Sequence, residues 1–247
     1  MNRHAMPRVF FASSLLSLAL IAGAATADLR GSIFKEPAQV QAPSATDAIC
    51  TIGQSGPLGS TLFLSSAWSN LKLYQLLDPA ACPQCPASSG GLLLTQAVIR
   101  MRFRSACSMV LRVSVVEATG AGNCVAPDTT HLICPPQLFT LSEAAASVTK
   151  DYLMPLASGC CLTRKAFLVV EIVSQSCGAD QYAYANMLNC TPCSQYFVMP
   201  GTVDTITDNC DATTGLGFDF DLRVNADCCS VTPAMPRSWG RVKNLYR

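Results

Sequence analysis

Fourteen cysteines constrain this chain more than any other feature: Cys50, Cys82, Cys85, Cys107, Cys124, Cys134, Cys160, Cys161, Cys177, Cys190, Cys193, Cys210, Cys228 and Cys229. The number is even, and none lies in the first 49 residues. In an oxidising compartment such a set predicts a disulfide framework with every cysteine paired. Spacing alone does not assign partners, because eight cysteines already allow about 105 pairings. The adjacent pairs Cys160-Cys161 and Cys228-Cys229 carry one local constraint. Neighbours on an extended strand point to opposite faces, so each adjacent pair is expected to reach two different partners and not to bridge to itself.

The compartment is read from the N-terminus. Arg3, His4 and Arg8 form a basic start, residues 9–22 an apolar run, and Ala25-Thr26-Ala27 a small-residue cleavage site before Asp28. That is the pattern of a secretory signal peptide, and the apolar run is too short to be a comfortable membrane span. The first cysteine, Cys50, lies too far downstream for a lipid-attachment site. The expected organisation is a signal peptide at 1–27, a flexible lead-in at 28–48 rich in Pro, Gln and Ser, one disulfide-rich domain at 49–232, and a basic tail at 233–247 around Trp239. The protein is expected to be secreted, extracellular or, in a Gram-negative source, periplasmic.

The signal holds two of the 17 basic residues and none of the 16 acids, leaving the remainder within one charge of neutral. Such a balance gives no long-range attraction for nucleic acid or an anionic membrane, so neither is an expected partner.

Both CxxC motifs, Cys82-Pro-Gln-Cys85 and Cys190-Thr-Pro-Cys193, are compatible with zinc knuckles or a redox site. An exported chain with an even cysteine count favours disulfides over zinc. A thioredoxin-like site needs its first cysteine at a helix N-terminus, whereas residues 86–91 (PASSGG) read as a loop.

The remaining pattern is extended. In the run from Leu92, Leu93, Thr95, Ala97, Ile99, Met101 and Phe103 share one face and Arg100, Arg102 and Arg104 the other. The arginine face reads as solvated, with snorkelling stems, in preference to a ligand patch. Residues 109–117 alternate again, which predicts a long antiparallel hairpin with the preceding strand. Residues 120–136, rich in Gly, Pro and Cys, read as a loop, and residues 142–146 as a helical turn between strands at 137–141 and 148–156. Residues 61–77 fit a strand and short helix or two strands. Residues 165–174 (KAFLVVEIVS) are apolar on both faces, as in a central sandwich strand. Further strands are expected at 181–188, 195–199, 203–207 and 216–224. The fold class is therefore all-β: an antiparallel β-sandwich, jelly-roll-like, stapled by disulfides and with little helix.

The run CPQCPASSGGLLLTQAVIRMRFRSACSMVLRVSVVEATGAGNCVAPDTTHLIC, followed by DYLMPLASGCCLTRKAFLVVEIVS, resembles Cys-rich β-sandwich domains of uncharacterised secreted bacterial proteins. It covers Cys82 to Ser174, less than half of the chain. The resemblance implies fold and export and carries no activity.

Catalysis is limited by scarcity. Past the signal, His131 is the only histidine, so a Ser-His-Asp site has to pass through it, and no Gly-x-Ser-x-Gly elbow is present. Carboxylates are the alternative. Asp219 and Asp221 are spaced to share a strand face, and Asp204, Asp208 and Asp211 precede them. Paired acids suit a glycosidase, and Asp208, Asp211, Asp219 and Asp221 equally suit a calcium site, although residues 208–215 do not match an EF-hand loop. Calcium is thus the one cofactor left open. Tyr182 and Tyr184 alternate on one strand face and, with Trp68, Tyr74, Tyr196 and Trp239, are candidates for a sugar-stacking platform. Asn189-Cys190-Thr191 is formally an N-glycosylation sequon.

Two functions follow: a secreted non-catalytic binding or surface-associated structural module, with a glycan or protein as partner, or a small extracellular hydrolase acting through paired acids.

Overall fold

The structure, a computed structural model, describes residues 50–54, 58–63, 70–85, 90–122, 124–157, 160–178, 181–187, 189–201 and 205–229. The expected signal peptide, lead-in and basic tail, with Trp68, Asp204 and Trp239, lie outside them.

The strands in chain order are β1 (Cys50–Gly53), β2 (Leu58–Phe63), β3 (Lys72–Leu77), β4 (Leu92–Phe103), β5 (Cys107–Thr119), β6 (Ala126–Glu143), β7 (Lys150–Pro155), β8 (Cys161–Leu162), β9 (Ala166–Gln175), β10 (Tyr182–Met187), β11 (Gln195–Val198), β12 (Thr207–Asp208) and β13 (Leu222–Cys228). One 3₁₀ turn, Pro79–Ala81, is capped by Asp78, whose side chain accepts from the Ala80 N–H. Among the described residues no helix is long and apolar enough to cross a membrane.

All pairings are antiparallel, in two sheets. The first runs β1-β13-β4-β10-β2, with β7 and β8 also paired to β4; the second runs β12-β11-β3-β9-β5-β6. Strand β4 organises the first sheet because its twelve residues serve four partners. One side takes β13 along Leu92–Ile99 and β10 along Met101–Phe103, while the other takes β8 at Leu92–Leu93 and β7 along Gln96–Met101. Gly91, at φ +114°, permits the close approach of β8: a Cβ there would collide with the Leu162 carbonyl.

The two sheets share one core. Ile99, Met101 and Phe103 of β4 and Leu222 and Val224 of β13 pack in the same buried cluster as Met109, Leu111 and Val113 of β5 and Leu168 and Val170 of β9. Each side chain of this kind contributes about 1.5–3 kcal/mol on burial. A second apolar cluster lies on the other face of the β3-β9-β5 region, where Tyr74, Val116, Phe167, Val169, Tyr196 and Val198 are buried together with Val125 of the β5–β6 connection. This second layer is why β9 is apolar on both faces, as its sequence led us to expect.

Three expectations need correction. Strands β4 and β5 do not form a hairpin, since they belong to different sheets and the chain crosses between them at residues 104–106. Alternation specifies a buried face but not the neighbour alongside, and here the two apolar faces meet across the core. The shared face of β4 also breaks. Its register slips between Gln96 and Leu94, so Leu92 and Leu94 point inward below the bulge while Ala97, Ile99, Met101 and Phe103 do so above it; Leu93 and Thr95 do not. Finally, most of the expected loop at 120–136 is strand. Strand β6 runs 18 residues through Pro127, Pro135 and Pro136 and takes in Ser142 and Glu143 of the expected helical turn. It pairs only with β5 among the described residues, and prolines are tolerated on edge strands and at bulges. Pro135 and Pro136 sit at such a bulge, between Cys134 opposite Val115 and Gln137 opposite Val113.

All fourteen cysteines are paired: Cys50–Cys82, Cys85–Cys228, Cys107–Cys177, Cys124–Cys193, Cys134–Cys160, Cys161–Cys229 and Cys190–Cys210. Each adjacent pair reaches two different partners, as strand geometry requires. Cys134–Cys160 joins β6 of the second sheet to the entry of β8 in the first. The bridged separations range from 20 to 143 residues, for which the chain-entropy model gives on the order of 3–5 kcal/mol each.

Candidate functional site

The acidic residues singled out by the sequence lie where the segment 209–221 folds against β11 and the turn before it. The local organiser is Gln195, buried at the start of β11 opposite Gln75 of β3. Its Oε1 accepts from the Phe220 N–H at 2.7 Å and from Asn209 Nδ2 at 3.0 Å. Its Nε2 donates to the Phe220 carbonyl at 2.7 Å and to Gln75 Oε1. The amide thus holds Phe220 as a backbone partner would, and this fixes Asp219 against the turn at 190–194.

Asp219 is 0% exposed. Its Oδ2 accepts from the Thr191 N–H at 2.8 Å, Ser194 Oγ at 3.2 Å and Gln54 Nε2 at 3.2 Å. Its Oδ1 lies 3.8 Å from the sulfurs of both Cys190 and Cys210, which form one disulfide. Burial raises the Asp219 carboxyl to about 6, against the opposing bonds from Thr191 and Ser194.

The four aspartates expected to share a calcium ion do not form one ligand set. Asp208 accepts from the Cys193 and Cys210 N–H groups, at 2.8 Å each. Asp211 closes a local turn, accepting from the Thr213 and Thr214 N–H groups at 2.8 Å and from the Thr214 hydroxyl at 2.9 Å, and these bonds hold it below the ordinary carboxylate range. Asp221 accepts from Arg223 Nη1 at 2.7 Å and has Arg100 Nη1 at 3.0 Å; burial pushes its carboxyl up while the two guanidinium groups oppose the rise. Among the described residues, the triads of potential ligand atoms within 4.8 Å of one another are Cys124, Cys193 and Asp208, and Cys190, Cys210 and Asp219. Each contains two disulfide sulfurs and one carboxylate, a poor donor set for a hard cation that prefers oxygen.

Nor do Asp219 and Asp221 share a strand face, because the strand begins only at Leu222 and Gly217, at φ +76°, turns the preceding chain. The two carboxylates enter separate clusters, one beside a disulfide and the other among arginines, so the acid pair proposed for a glycosidase is not formed by them.

Tyr182 and Tyr184, expected as a stacking platform, are 0% and 1% exposed. Their rings meet edge to face at 5.9 Å, and Tyr184 packs likewise on Phe220 at 5.3 Å. They are core residues of β10 and present no surface to a ligand. Tyr74 and Tyr196 lie in the second buried cluster.

The arginine face of β4 is not freely solvated, since Arg100, Arg102 and Arg104 are each half-buried. Arg100 Nε donates to Asp151 Oδ1 of β7 at 2.6 Å, and Arg223 of β13 donates to Asp151 Oδ2 and to Asp221. Arg102 Nε donates to the Ser147 carbonyl at 3.2 Å. Two arginines and two aspartates therefore neutralise one another across three strands.

His131 is exposed on β6. Asp128 Oδ2 lies 2.7 Å from its Nδ1, and the Thr130 hydroxyl lies 3.0 Å from that same nitrogen. The hydrogen bond to Asp128 raises the imidazole, and Thr130 and His131 together lower Asp128 to about 2. A nucleophile–base relay needs hydroxyl and carboxylate on opposite ring nitrogens, which this cluster does not provide.

Sequence reasoning missed Gln54, Gln75, Ser194, Gln195 and Asn209, which build the polar cluster. Their types and positions read as ordinary solvent-facing strand and turn residues, yet Gln75, Ser194, Gln195 and Asn209 are buried and Gln54 is half-buried. No protein-family model matches the chain, and no curated protein or solved structure is significantly similar to it.

Proposed function

We propose that the chain is a secreted, non-catalytic binding or surface-associated structural module, with a protein as its partner and the outer face of β6 as its contact face. The observation that carries this reading is the exposure of Leu132 and Leu138, at 55% and 63%, on the edge strand of the second sheet. They lie opposite Val116 and Arg112, away from the central core, on either side of the Pro135-Pro136 bulge. Exposed leucines are commonplace singly, but two on one face of an edge strand form an apolar strip that association would remove from water. The edge is also blunted against indiscriminate strand pairing by its prolines, which favours side-chain contact over strand addition. Disulfide pairing of every cysteine supports an oxidising, extracellular setting.

The glycan reading loses the two tyrosines that supported it, and the hydrolase alternative loses Asp219 and Asp221 as a pair. The test uses labelled full-length protein on the cells that secrete it. Retention should survive glycosidase treatment of the cell surface, disappear after protease treatment, and fall at least tenfold in a Leu132→Asp/Leu138→Asp variant of unchanged thermal stability. Retention that the double variant leaves intact would overturn the contact face. Turnover of a hydrolase substrate that Asp219→Asn abolishes would overturn the non-catalytic reading.

A further inference from the structure

Among the polar clusters of the described residues, one combines a motif, a bridge with an exposed cysteine and an acid. We propose that the Cys190-Thr191-Pro192-Cys193 turn is a thiol–disulfide exchange site that takes an external thiol as co-substrate. The thiol opens Cys124–Cys193, and the released Cys193 then displaces Cys210 from Cys190. The exchange is stoichiometric, because it consumes the protein's own bridges, so it leaves the module non-catalytic and is separate from the contact face on β6.

Four observations converge on the turn. Cys190 and Cys193 have CxxC spacing across a turn closed by the Ser194 N–H on the Thr191 carbonyl at 3.2 Å, yet each is bonded elsewhere, to Cys210 and Cys124. The two bridges lie side by side, since the single carboxylate of Asp208 takes the N–H of Cys193 on one oxygen and that of Cys210 on the other. Cys124 is exposed as a residue, which places the first bridge at the protein surface. Cys193 has φ +62°, a left-handed conformation that costs a non-glycine residue energy. The other CxxC motif differs: Cys82 is buried, and among the described residues no triad of two sulfurs and a carboxylate adjoins its turn.

The chemistry balances as follows. A thiolate attacks Sγ of Cys124, the Cys124–Cys193 bond breaks, and Cys193 leaves as a thiolate. That thiolate attacks Sγ of Cys190, forming the Cys190–Cys193 bond and breaking Cys190–Cys210. Cys210 leaves as a thiolate and takes a proton from Asp219, whose Oδ1 faces its sulfur at 3.8 Å and which is reprotonated from solvent. A second external thiolate clears Cys124. In sum, two thiols become one disulfide, two electrons enter the protein, and Cys124 and Cys210 end as thiols. The raised carboxyl of Asp219 suits it to that transfer, because an acid near 6 keeps a protonated fraction close to neutral pH.

The experiment uses the full oxidised chain, titrated anaerobically with glutathione, quenched with an alkylating agent and mapped by mass spectrometry. The first two-electron product should carry alkyl groups on Cys124 and Cys210, a new Cys190–Cys193 bridge, and the other five bridges intact. Asp219→Asn should slow its formation at least tenfold, while opening of Cys124–Cys193 by the first thiol proceeds at the wild-type rate. A first product alkylated on Cys124 and Cys193, or one in which any other bridge opens first, would overturn the proposal. The wild-type product decides the matter even if the variant fails to fold.

Discussion

Asp219 is the residue at which the physical chemistry of this fold is most concentrated. Its carboxyl is raised from 3.8 to about 6, so the folded state holds the proton more tightly than the unfolded chain does. The associated stability is fully present below pH 3.8 and is lost as the pH rises through 6, at a cost of about 3 kcal/mol between those limits. Asp219→Asn removes that titration while keeping an acceptor for the Thr191 N–H. Between pH 4 and 6 the wild-type unfolding free energy should therefore fall relative to that of the variant, by an amount of this order, in denaturant titrations without reductant. Parallel curves would show that Asp219 is solvated. None of this was legible in residues 216–223, whose strict alternation of apolar and polar side chains places both aspartates toward solvent. Gly217 interrupts the strand, and the 190–194 turn and Gln54 cover one carboxylate while arginines from β4 and β13 cover the other. Burial by a distant segment leaves no trace in local periodicity, and the same holds for Tyr182 and Tyr184.

At the scale of elements, what could be read depended on whether the pattern reported a face or a neighbour. The centrality of β9 was readable, because a strand covered on both faces must be apolar on both. The extent of β6 was not, because Pro127, Pro135 and Pro136 are turn signals in a sequence and become tolerable only once the strand lies at an edge. The separation of β4 from β5 was not readable either, since alternation in two successive strands fits pairing and facing equally well. What joins β4 to its neighbours on the outer face is the cluster of Arg100, Asp151, Asp221 and Arg223, in which Asp151 of β7 is held by both arginines. Asp151→Asn removes the charge at the centre of the group and leaves two largely buried guanidinium groups sharing Asp221. Breaking a buried ion pair from one side typically costs about 3–5 kcal/mol, and the partial exposure here places the expected loss at the lower end of that range. Asp151→Asn/Arg100→Gln, which removes one positive charge as well, should recover part of it. A double-mutant cycle in thermal unfolding checks this, and simple additivity would contradict the coupling.

For the whole molecule, two sheets, one central core and seven disulfides form a single account. The cysteine count and the divergence of adjacent cysteines were legible; the partners were not, because pairing is set by which loops the two sheets bring together. Cys161–Cys229 and Cys134–Cys160, whose adjacent members Cys160 and Cys161 are consecutive, link the end of β13, the entry of β8 and the middle of β6. Reassigning Cys134–Cys160 would therefore change the placement of β6 against the first sheet. The most direct measurement is a non-reducing peptide map of the untreated protein, with fragmentation between the adjacent cysteines. The account predicts Cys50–Cys82, Cys85–Cys228, Cys107–Cys177, Cys124–Cys193, Cys134–Cys160, Cys161–Cys229 and Cys190–Cys210. A bridge within Cys160-Cys161 or Cys228-Cys229, or a free thiol at Cys134, would contradict it.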